Sequence, residues 1–67
     1  MKTQTRISKK VKRARVKRGW TQETLAEKAN LTSRTVINVE GGKGINLGTL
    51  AAIAGALECS MADLLNP

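Results

Sequence analysis

The 67-residue sequence contains no His, Phe or Tyr, one Trp, one Pro and one Cys. A single Cys excludes an internal disulfide framework, and without His a zinc site would fall to carboxylates alone, so neither a metal nor another cofactor is expected. The lone thiol suits a reducing, cytoplasmic setting, and Cys59, between Leu57 and Met61, reads as a small buried hydrophobe. No apolar run reaches the ~18 residues of a membrane span, and no apolar h-region marks a signal peptide. Catalysis lacks its usual parts. There is no imidazole base, and Gly41-Gly42-Lys43-Gly44 follows a predicted helix rather than a strand and lacks Walker spacing, so no enzyme is expected. With 40% apolar residues and almost no aromatics, the core of this single small domain must come from packed aliphatic helices or be shared with a partner.

Acidic residues are scarce too, and their placement is one-sided. Residues 1–18 hold nine basic side chains and no acidic one, whereas residues 19–67 hold three basic against five acidic, for a formal net charge of +7. A cationic end of this kind points to a polyanionic partner: nucleic acid first, an anionic membrane surface second.

Apolar spacing and caps divide the chain into five short helices, with no β-alternation. The first is predicted from about Arg6 to Arg18, with Ile7, Val11 and Ala14 on one face and Gly19 as its stop. Residues 1–5 are expected as a flexible basic arm. Thr21 is the N-cap of the second helix, Trp20 and Leu25 its staple pair, and Leu25, Ala26 and Ala29 its inner face. It ends near Asn30, a residue that tolerates left-handed backbone. Thr32 caps the third helix, with Leu31 and Val36 as staple; Val36 and Val39 point inward and Gly41-Gly42 terminate it. Its other side gathers Ser33, Arg34, Ile37 and Asn38 within about 140°. A fourth helix is predicted near 47–57, with Leu47, Leu50, Ala51, Ile53, Ala54 and Leu57 at helical spacing. Ser60 and Asp63 form a capping-box pair for a last short helix bearing Met61, Leu64 and Leu65.

Two helices joined by about three residues, the second with an exposed polar face, have the geometry of a helix-turn-helix. The residues carry a resemblance as well. Thr21-Gln22-Glu23-Thr24-Leu25-Ala26, Leu31-Thr32, Val36, Val39-Glu40, Gly42-Lys43, Leu50, Ile53-Ala54 and Ala56-Leu57, in this order, resemble the lambda-repressor-like (Cro/Xre-type) DNA-binding domain over about residues 7–65. The resemblance implies an all-α, compact five-helix bundle over 6–67 whose third helix enters the DNA major groove. It implies that Gln22 contacts a phosphate and braces the recognition helix. It also implies that Arg15 and Glu40 form a structural ion pair, and that Ser33, Arg34 and Asn38 touch base edges. Two residues depart from the common pattern: Ile37 is apolar where relatives are usually polar, and Asn30 replaces a frequent turn glycine.

The chemistry supports such roles independently. Arg donates twice to guanine O6 and N7, and Asn pairs with adenine N6 and N7. Ile37 either lies against a thymine methyl or is an isolated exposed apolar side chain. Ser33 can serve a base or a phosphate. Phosphate contacts are expected from Gln22, Thr21, Thr32, Lys43 and Lys10. The function expected is that of a sequence-specific transcriptional regulator acting on double-stranded DNA at the nucleoid. A homodimer through Met61, Leu64 and Leu65 is expected, its recognition helices about 34 Å apart. An antitoxin that also binds a protein keeps the same fold. A membrane-surface or protein-interaction module led by the basic first helix would be a different class, but Ile7, Val11 and Ala14 offer it no aromatic anchor.

Overall fold

Caps fix most of the helix boundaries. A computed structural model describes residues 2–66, with side chains from Thr5 to Asn66; Met1 and Pro67, at the ends of the expected arm and domain, lie outside the described residues. Among the described residues there are five helices and no strand: α1 (Lys2–Lys17), α2 (Gln22–Ala29), α3 (Ser33–Glu40), α4 (Leu47–Leu57) and α5 (Met61–Leu65). The Thr21, Thr32 and Ser60 hydroxyls accept from the backbone N–H three residues on, and Asp63 completes the capping box by accepting from the Ser60 N–H. Asn46 caps α4 in the same way, at 2.9 Å from the Thr49 nitrogen, a role its sequence context did not single out.

Two departures concern α1 and α4. The first helix starts at Lys2, not near Arg6, so residues 2–5 continue the helix where an arm was expected. Nothing in Lys2-Thr3-Gln4-Thr5 breaks a helix, although nothing apolar announces one either. Leu47, at helical spacing with the α4 core residues, is 73% exposed, because the first residue of α4 projects beyond the edge of the core.

The stops use left-handed backbone. Gly19 ends α1 at φ 74°, with its N–H on the Val16 carbonyl and the Trp20 N–H on that of Arg15. Asn30 adopts φ 57°, as its side chain permits. Glu58 also adopts φ 57°, without that excuse: its side chain makes no hydrogen bond or ion pair, and a Cβ in this region is strained. Glu58→Gly is therefore expected to raise stability by about 0.5–1 kcal/mol, the relief of strain being partly offset by the greater freedom of Gly in the unfolded chain. The expected sign is a melting temperature a few degrees higher. An unchanged or lower value would show that the helix end carries no strain there.

The core is wholly aliphatic. Val11, Leu25, Val36, Val39, Ile53 and Leu57 have no accessible surface, and Ile7, Leu50 and Leu64 are nearly as closed. The half-buried Trp20 and Leu31 pack against this cluster from the starts of α2 and α3. α2 lies against both α3 and α4, while α1 crosses α3, α4 and α5. Ser8, the one buried polar residue among the described residues, donates to the Thr5 carbonyl at 2.8 Å.

Candidate nucleic-acid interface

α3 presents one face to the core and another outward. Val36 and Val39 are buried; Arg34 and Ile37 are exposed, the latter by 45%, and Ser33 and Asn38 are half-buried beside them. The four residues expected at base edges therefore share one accessible surface. Arg34 carries its charge there with no ion pair or hydrogen bond holding it back.

That helix is clamped from behind. The Arg15 Nε donates to Glu40 Oε2 at 2.6 Å and Nη2 to Oε1 at 3.0 Å, with side chains 12% and 5% exposed. Arg15 Nη1 donates to the Trp20 carbonyl at 2.7 Å, and Gln22 Nε2 donates to Glu40 Oε1 at 3.2 Å. One carboxylate at the end of α3 thus joins α1 and the start of α2, and Arg15 extends the link to the α1–α2 turn. The hydrogen bond to Glu40 raises the Arg15 guanidinium above its ordinary pKa, against the opposing effect of burial. Gln22 keeps its amide oxygen and a second N–H outside this network, so bracing α3 leaves it able to meet a phosphate.

The remaining residues expected at phosphates divide. Lys43 is exposed between Gly42 (φ 82°) and Gly44 (φ 64°), and its N–H on the Asn38 carbonyl fixes the loop just after α3. Thr21 and Thr32 are exposed, but their oxygens accept from Thr24 and Thr35 nitrogens at 3.0 and 3.2 Å and pair with the hydroxyls of those residues. Lys10 does not belong to this surface. Its ammonium donates to the carbonyls of Asp63, at 3.1 Å, and Asn66, completing the C-terminal end of α5 as a cation there should. The expected dimer patch needs a similar correction. Leu64 is 3% exposed and belongs to the core, because α5 turns it onto α1 and α4. Met61 is half-buried, and Leu65, 46% exposed, is the large apolar residue of α5 that reaches the surface.

Two features were not legible in the sequence. A notch of about 270 Å³ lies between the start of α2 and α3, lined by Thr21, Gln22, Glu23, Ser33 and Ile37. It brings Glu23, for which the sequence suggested no part in the site, to the edge of the α3 face. Only the crossing of α2 over α3 reveals this. The second is the setting of Trp20, whose ring has Lys28 Nζ at 4.9 Å and Arg18 at 5.7 Å from its centroid. Arg18 also donates to the Ala14 and Leu57 carbonyls at 2.9 and 2.7 Å, so it fastens α1 to α4. Cys59 is half-buried, and burial together with the Asp63 charge pushes its thiol pKa up against the pull of Arg18.

Among the described residues no helix is long and apolar enough to cross a membrane, and no group of three or more His, Cys, Asp or Glu could hold a metal. Compared with known protein families, residues 11–64 match the helix-turn-helix family. No curated protein matches the chain significantly.

Proposed function

The chain belongs to the Cro/C1-type helix-turn-helix family of DNA-binding regulators, and we propose that it is a sequence-specific transcriptional regulator whose α3 lies in the major groove of an operator. The observation that carries this reading is the exposed quartet Ser33, Arg34, Ile37 and Asn38, on a helix whose orientation is held by the Arg15–Glu40–Gln22 network. Readout needs side chains at a base edge in a fixed pose, because a bidentate contact tolerates little rotation of its helix. Arg34 and Asn38 supply donors and an acceptor, Ile37 meets a thymine methyl, and Ser33 serves a base or the adjoining phosphate. Gln22 and Lys43 flank this face as phosphate contacts that set the register. Thr21 and Thr32 act mainly as caps: each satisfies one N–H of its helix start, and the other first-turn N–H groups are left free for phosphate.

The working unit is a homodimer with its two α3 helices on half-sites one DNA turn apart, its contact centred on Leu65 and the edge of Met61. It acts in the cytoplasm, where the DNA is. No protein-partner or membrane role is favoured by a particular observation.

Arg34→Ala tests the reading. On the preferred site the variant is expected to lose about 1–3 kcal/mol of binding free energy and to relax preference at one base pair. Competition binding against single-base variants of the site measures both. An equal loss on random DNA would make Arg34 a phosphate contact instead.

A further inference from the structure

Five cations stand unpaired along one side of α1. Arg6, Lys9, Lys12, Arg13 and Lys17 are all exposed, and none makes a hydrogen bond or ion pair. At 100° per residue they fall within about 140°, around the exposed Val16. On the other side of α1, Arg15 is occupied by Glu40 of α3 and Arg18 by the Leu57 carbonyl of α4, while Lys10, next to Lys17 at the edge of the stripe, is held by the carbonyls of Asp63 and Asn66 at α5. α1 meets α3 through its last turn at Arg15; from there its earlier half runs beside α5, which packs on α1 and α4. At 100° per residue the stripe is centred about 130° around α1 from Arg15, the residue through which α1 is tied to the end of α3. From Arg6 to Lys17 a helix advances about 16 Å, over which one DNA strand carries about five phosphates.

We propose that this stripe is a second, sequence-independent phosphate-binding surface that holds another DNA duplex while α3 occupies the first, so that the protein bridges DNA segments. The proposal rests on α3 being the site of the first duplex. A duplex suits the stripe better than a membrane surface does, because among the described residues of α1 Val16 is the one exposed apolar side chain available to insert, and interfacial helices need a wide apolar face.

The test compares wild type with Lys9→Gln/Arg13→Gln/Lys17→Gln in two assays at near-physiological salt. One measures affinity for a single short duplex. The other measures capture of a free fluorescent duplex by protein bound to bead-held DNA. The expected result is single-duplex affinity within about twofold of wild type and a fall of about tenfold in capture. A comparable fall in single-duplex affinity would overturn the proposal by placing the stripe on the first duplex. So would capture unaffected by the substitutions, absence of capture by wild type, or flotation with anionic vesicles that exceeds DNA capture and is lost in the variant. Circular dichroism checks that the variant is folded, as substitutions at exposed positions should leave it. Failure of the α3 reading shows separately, as sequence preference untouched by Arg34→Ala.

Discussion

Glu40→Ala is expected to cost about 3–5 kcal/mol of folding stability, the usual result of leaving one member of a buried ion pair without its partner. Arg15 would keep only the Trp20 carbonyl, with its side chain 12% exposed, and Gln22 would lose its acceptor. A domain of this size has a total stability of only about 3–10 kcal/mol, so much of the variant population should be unfolded at room temperature. Urea denaturation followed by circular dichroism measures the loss. Arg15→Met/Glu40→Leu separates the burial penalty from the worth of the pair: removing both charges is expected to restore stability to near or above wild type. That double variant should still bind DNA less selectively, because the link that orients α3 is gone. A loss below about 1 kcal/mol for Glu40→Ala would mean that the pair behaves like an exposed one.

Leu25→Ala is the second large effect, expected at about 2–5 kcal/mol. Leu25 has no accessible surface and sits on the inner face of α2, the helix that packs against both α3 and α4, so its loss opens a cavity where three helices meet. Leu25→Met, which keeps the volume, should cost under about 1.5 kcal/mol. Trp20, the only aromatic residue in the chain, reports the same transition by fluorescence from a position packed on this core. Equal effects of the two substitutions would contradict tight packing at this site.

How far such features could be read in advance depended on their range along the chain. Thr21, Thr32 and Ser60 were legible because an N-cap is the chemistry of one side chain and a backbone group three residues away, and Asn30 because Asn is a residue that tolerates left-handed backbone. The α3 face was legible because a helical wheel needs only spacing. Arg15 with Glu40 and Gln22 came from the family resemblance, since residues so far apart in sequence meet only when α1, α2 and α3 have packed. Lys10 and Leu64 were misplaced for that same reason: α5 packs on α1, which draws Lys10 to carbonyls more than fifty residues away and turns Leu64 inward. Glu58 gave no sign of left-handed backbone because Glu is not a residue that favours it. Glu23 reached the edge of the α3 face through the angle between two helices, which no local pattern encodes.

The measurement closest to the central claim is selection of bound sites from a random pool of double-stranded DNA by the wild-type chain. The expected result is an enriched palindrome whose half-sites lie about 10–10.5 base pairs apart. Its preference should be lost at one position per half-site with Arg34→Ala. Tight binding with no enriched sequence, by wild type as by Arg34→Ala, would contradict base readout by α3 and leave only general attraction to phosphate.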